Sequence, residues 1–194
     1  MLKLIFVVAL AISAPALADE HRELGPHEHG HGTLNVAVEG NSIKMELEVP
    51  GDDIIGFEHD PSTPEEKAAM ETAKKILANP LGLFKIADAA KCSVKEAKVS
   101  IQDEKHEHEE KDAKSDAGAA SADKHEDAEA HHNEFFITYA LDCKSMPDVK
   151  SIDFEYFKAF KNGQELNVNV ITPKGQSKFE ATRDKPRVDL SGLM

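Results

Sequence analysis

Residues 33–50, Thr33-Leu34-Asn35-Val36-Ala37-Val38-Glu39-Gly40-Asn41-Ser42-Ile43-Lys44-Met45-Glu46-Leu47-Glu48-Val49-Pro50, decide the fold class. Leu34, Val36 and Val38 alternate with Thr33, Asn35 and Ala37. After Gly40-Asn41 the alternation resumes at Ile43, Met45, Leu47 and Val49. Successive side chains of a β-strand point to opposite faces, so apolar residues at every second position read as a strand with one buried face. Gly-Asn between two such runs allows the positive φ that a tight turn needs. The segment is predicted as a β-hairpin that ends at Pro50-Gly51.

Beyond the hairpin, Thr63-Pro64-Glu65-Glu66 opens a helix over about 63–79. Thr63 fits the N-cap, Pro64 the first helical position, and Glu66 closes a capping box. Met70, Ala73 and Leu77, with Ile76 beside them, form one apolar face, and Asn79-Pro80 stops the helix. Residues 81–87 read equally as a strand or as a last helical turn. Val94–Ile101 and Glu134–Leu141 read as two further strands. In the last third, Ile152, Phe154 and Tyr156 alternate, Asn162-Gly163 reads as a hairpin turn, and Leu166, Val168 and Val170 alternate again. Pro173-Lys174-Gly175 turns into residues 178–182. The expected fold is mainly β or α+β: antiparallel strands and hairpins, one clear helix, and a disordered insert rich in His and acidic residues.

That insert, residues 103–133, separates the strands around 94–101 and 134–141. Its 31 residues include 11 Asp or Glu, 4 Lys and 5 His, with no aromatic, β-branched, Leu or Met residue. Such a segment buries too little apolar surface to offset the entropy of ordering, so it is expected to be a flexible loop within a single domain over 19–194. Cys92 and Cys143 are the only cysteines. If the two flanking strands pair antiparallel, they lie at nearly equal distances from the tip, and a disulfide between them clasps the base of the hairpin.

Residues 1–18 read as a signal peptide: Lys3, a short apolar run over 4–14, then Ala16-Leu17-Ala18 before the expected cut. The run falls short of the ~20 apolar residues of a membrane span. Asp19 stands where a lipid-anchored product would carry Cys. The expectation is a periplasmic protein with no membrane insertion after cleavage. With 36 Asp and Glu against 23 Lys and Arg, the chain is a poor partner for nucleic acid or anionic membranes.

The histidines carry the functional reading. His27-Glu28-His29-Gly30-His31 leads into the first strand, and residues two apart in extended chain project to the same side. Three imidazoles there are expected to converge on one ion. His106, His108, His125, His131 and His132 lie in the acidic insert, where neighbouring carboxylates raise local cation concentration. His59, within Glu58-His59-Asp60, is a further candidate, with a capping or structural role as the bland reading. Imidazole-rich sites suit Zn²⁺, whereas Ca²⁺ and Mg²⁺ prefer oxygen. Cu²⁺ and Ni²⁺ also take imidazole and remain alternatives. No G-x-S-x-G turn and no Gly-rich phosphate loop occurs, and the histidine after His125-Glu126 comes at 131, so the chain is not expected to be an enzyme.

Several stretches together resemble the ZrgA-like family of zinc-regulated periplasmic zinc-binding proteins of Gram-negative bacteria. They are Gly25-Pro26-His27-Glu28-His29-Gly30 before Leu34–Gly40, Glu46–Pro50, Phe57-Glu58-His59, Cys92 and Lys105-His106-Glu107-His108. The resemblance implies Zn²⁺ as the bound metal and zinc acquisition under scarcity beside a periplasmic zinc ABC importer. It also implies His27, His29, His31 and His59 as an ordered site, with the insert histidines as a mobile accessory set. The expected function is therefore a zinc chaperone or reservoir. The rival is a structural or protein-interaction module of the envelope with incidental histidines.

Overall fold

The computed structural model describes residues 28–104 and 132–194. Along the chain run β1 (His31–Glu39), β2 (Ser42–Pro50), α1 (Gly51–Ile55), α2 (Pro64–Leu77), α3 (Pro80–Leu83), β3 (Phe84–Lys85) and β4 (Cys92–Glu104). They are followed by β5 (His132–Cys143), β6 (Ser151–Phe154), α4 (Tyr156–Ala159), β7 (Glu165–Thr172), β8 (Gly175–Thr182) and β9 (Arg187–Asp189). Six strands form one sheet in the order β4-β5-β2-β1-β7-β8, and β3-β6-β9 form a small second sheet. The expected mainly β, α+β architecture is what the chain adopts.

The β1–β2 hairpin stands as its alternation predicts, with Leu34 opposite Leu47, Val36 opposite Met45 and Val38 opposite Ile43. Gly40 turns it at φ 57°. These residues, with Phe135, Ile137, Leu141, Leu166 and Val168, bury one face of the large sheet. Against that face pack Phe84, Phe154, Tyr156 and Phe157. The Phe84 ring meets Tyr139 edge-on at 6.1 Å and Phe154 at 5.6 Å. Each large side chain so buried contributes roughly 1.5–3 kcal/mol of transfer free energy, which makes this contact between layers the main source of cohesion.

Helix α2 has the predicted capping box, with Thr63 and Glu66 bonded reciprocally. It buries Met70, Ala73 and Leu77. The buried Tyr139 hydroxyl donates to the Leu77 carbonyl at 2.9 Å, fixing the end of α2 to β5. Residues 81–87 combine both readings: the end of α3, then the two residues of β3.

The last third departs from the expected meander. Only residues 151–154 form the strand β6, and Tyr156 onward is helical. Tyr156, Phe157 and Phe160 sit at helical spacing and all face the core. Asn162-Gly163 is not a hairpin turn, because β7 pairs with β8 and, in parallel, with β1. Gly163 instead makes room for Tyr156: a Cβ there would lie 2.9 Å from the Tyr156 ring. Arg183 donates to the carbonyls of Phe157, Phe160, Lys161 and Gly163, tying off α4 and the chain after it.

β4 and β5 pair antiparallel, and Cys92 faces Cys143 in register and bonds to it. At the other end of this hairpin Asp103 faces Asn133 and Glu104 faces His132. The expected insert 103–133 therefore gives up two residues at each end to the strands. Backbone pairing carries the ladder past the last apolar side chains. The expected disorder of the remainder concerns residues 105–131, which lie outside the described residues, as do residues 1–27 and the expected signal peptide.

Candidate metal centre

Glu58 owes its position to a short strap. After β2, α1 ends at Gly56, whose φ of 83° suits a left-handed helix cap, and its N–H donates to the Asp52 carbonyl. Residues 57–59 then run against the start of β5. Asn133 N–H donates to the Glu58 carbonyl at 2.8 Å, and Asn133 Nδ2 donates to the His59 carbonyl at 3.0 Å. The approach is close: a Cβ on Gly51 would lie 2.8 Å from the carbonyl oxygens of both Asn133 and Phe57. The Phe57 and His59 rings stack at 4.8 Å. In extended chain that sends the intervening Glu58 the other way.

His29 is placed by a turn. His31 N–H donates to the Glu28 carbonyl, and Gly30 adopts φ 85°. The Gly30 N–H donates to Asp53 Oδ1 of α1 at 2.6 Å, and its carbonyl accepts from Gln164 and Glu165 at 2.8 and 2.9 Å. Gly30 is thus held between α1 and β7.

The two constructions meet on Glu58, whose side chain is only 9% exposed. His29 Nε2 lies 2.8 Å from Glu58 Oε1, and His132 Nδ1 lies 2.5 Å from Glu58 Oε2. One shielded carboxylate thereby engages two imidazoles from distant parts of the chain. An ionised carboxylate only accepts hydrogen bonds, so the tautomer that suits Glu58 carries its proton on the ring nitrogen facing it.

His29 and His31 do not converge as the alternating pattern predicts. Gly30, in a left-handed conformation, breaks the extended backbone on which that expectation rests. His31 faces Glu165, Nδ1 to Oε1 at 3.7 Å. His59 turns to the helix start, with Nε2 3.8 Å from Glu66 Oε1 and Nδ1 3.0 Å from the Asp60 carbonyl. The hydrogen bonds from the Thr63 and Ser62 backbone hold the Glu66 carboxyl at about 2, below its ordinary 4.5. His27, His106, His108, His125 and His131 lie outside the described residues. Among the described residues, no group of three or more His, Cys, Asp or Glu is arranged to hold a metal ion. His27-Glu28-His29-Gly30-His31 also spells the letters H-E-x-x-H. That motif needs both outer histidines on one helical face, whereas here residues 29–30 are a turn and His31 starts β1.

Asp53 and Asn133, which the sequence does not single out, prove to be the buried supports of the centre. Burial raises the Asp53 pKa above the ordinary carboxylate value; the Gly30 N–H opposes this, as do His29 and His31. Elsewhere, a cavity of about 600 Å³ is lined by Phe154, Phe157, Lys158, Lys161 and Arg183. Its Arg183 is already committed to four backbone carbonyls.

The family model that matches is that of the ZrgA family zinc uptake proteins, over residues 26–190. The chain belongs to the ZrgA family. The match takes in the His29 turn, the Glu58 strap and both strands of the disulfide-linked hairpin. No curated protein matches the chain. The ZrgA family is one of zinc uptake, which makes Zn²⁺ the cargo against which this site is to be judged.

Proposed function

We propose that this ZrgA family chain is an exported periplasmic protein that captures Zn²⁺ through histidines and supports its uptake as a chaperone or reservoir for an importer. The observation that carries the reading is the meeting of His29 and His132 on the shielded Glu58 carboxylate. Imidazoles that bind zinc commonly donate their other ring N–H to a carboxylate, which fixes ring orientation and raises ligand basicity. Glu58 would do this for both rings, leaving His29 Nδ1 and His132 Nε2 as the nitrogens offered to the ion. His27, two residues before His29, is a further candidate ligand.

On this reading residues 1–18 are removed on export. His106, His108, His125 and His131 then form a weaker accessory set that raises capacity and passes zinc to or from the ordered centre. His31 and His59 serve as outlying donors. The partner is a periplasmic zinc ABC importer or its binding protein. Protons compete for imidazole, so capture weakens below pH ~6. The donor set also suits Cu²⁺ and Ni²⁺, and competition titration between the three metals ranks them.

Isothermal titration with Zn²⁺ tests the proposal on wild type, His29→Ala and His132→Ala. Loss of the tightest binding step in both variants is the expected result. Wild-type affinity in both would overturn the assignment of this centre, and no heat of binding in any of the three would end the zinc-capture reading.

A further inference from the structure

Beneath the His29 turn lies a carboxylate whose charge its hydrogen bonding does not require. Asp53 on α1 is 2% exposed. Its Oδ1 accepts the Gly30 N–H at 2.6 Å, while Oδ2 is buried and accepts no hydrogen bond from the described residues. A single N–H needs only a neutral acceptor, and an asparagine would supply one at the same place. An ionised carboxylate that satisfies one oxygen and buries the other costs stability. The adjoining Asp52, by contrast, is only partly buried. An ionised carboxylate at position 53 therefore works against the fold, and it stands directly against Gly30, the residue between His29 and His31.

A buried negative charge that lacks a full set of donors is stabilised by a cation nearby, and low polarizability around it leaves their attraction poorly screened. We propose that Asp53 is a positioning residue and buried counter-charge of the metal centre. Oδ1 fixes Gly30 and so aims His29 toward Glu58, and the carboxylate charge favours a divalent cation over an empty site. This deepens the zinc-capture reading and rests on it. Asp53 touches no ion itself; it acts through the Gly30 backbone and through space.

The experiment is Zn²⁺ titration against a competing chelator, with the thermal midpoint of the metal-free protein measured alongside. It compares wild type, Asp53→Asn, Asp53→Ala and His132→Ala. Asp53→Asn keeps the acceptor and removes the charge. The expected result is zinc binding weakened about tenfold, the scale of losses at groups that support metal ligands, with a metal-free midpoint equal to or above that of wild type. Asp53→Ala should weaken zinc further and lower the midpoint, because Gly30 N–H then loses its acceptor. Wild-type affinity in Asp53→Asn beside a weakened His132→Ala would overturn the counter-charge, and wild-type affinity in Asp53→Ala as well would overturn the positioning role. A lower midpoint in Asp53→Asn would reduce Asp53 to a structural residue and overturn the counter-charge. Wild-type affinity in His132→Ala would instead overturn the centre on which the proposal stands.

Discussion

His132 and Glu58 lie 74 positions apart in sequence, yet His132 Nδ1 sits 2.5 Å from Glu58 Oε2. The contact closes the open end of the β4–β5 hairpin against the strap that follows α1. The same hairpin is stapled at its far end by Cys92–Cys143. The hairpin is thus held by a covalent bond at one end and by a histidine–carboxylate contact at the other.

Because Glu104 faces His132 directly, replacing residues 105–131 by Asn-Gly should close a short hairpin and leave His132 in place. The expected outcome in a zinc titration is fewer equivalents bound, with the tightest dissociation constant unchanged. Loss of the tightest step would place its ligands in the removed segment.

Gly51→Ala is expected to drive a methyl group into the backbone of Phe57 and Asn133. Overpacking of this kind costs about 1–3 kcal/mol, readable as a lower urea midpoint. Since the strap carries Glu58, zinc affinity should fall with it. A variant as stable as wild type would mean the strap yields easily.

Glu66 gives a pH dependence of definite sign. Its folded-state pKa, about 2, lies below the ordinary 4.5, so its carboxylate adds stability that is fully present above pH 4.5 and is lost as pH falls toward 2. Wild type should therefore exceed Glu66→Gln in thermal midpoint at pH 7, and the difference should vanish near pH 2. A difference independent of pH would assign the effect to packing rather than charge.

Removing the disulfide by Cys92→Ser with Cys143→Ser opens a link across 51 positions. The expected loss is about 2–4 kcal/mol of stability in denaturant unfolding. The bond lies at the opposite end of the hairpin from His132, so zinc affinity at a temperature where the variant is folded should change little. A large loss of affinity would show that the staple also sets the geometry of the centre.

The elements built on strong periodicity were legible in the sequence. Leu34 to Val49 fix the first hairpin by period two, and Thr63 to Leu77 fix α2 by its capping box and apolar stripe. The Cys92–Cys143 register followed from counting along two strands. Three features were not legible, each for a tertiary reason. Asn162-Gly163 mimics a hairpin turn, but Tyr156 packing and the parallel pairing of β7 with β1 claim that segment. The spread of His29 and His31 depends on the φ of Gly30, which the Asp53 contact holds. Asp53 and Asn133 look like ordinary surface residues, because their burial arises only when the strap and turn close over them. Glu58, flanked by Phe57 and His59, did carry a signal: if the flanking rings share one side, the acid between them faces the other.

The most direct measurement of the central claim is diffraction from a zinc-loaded crystal at the zinc absorption edge. The account predicts an anomalous peak about 2.0–2.1 Å from one ring nitrogen of His29 and one of His132, with Glu58 hydrogen-bonded to the other nitrogen of each ring or joining the ion. A full-occupancy peak elsewhere, with neither His29 nor His132 coordinating it, would contradict it.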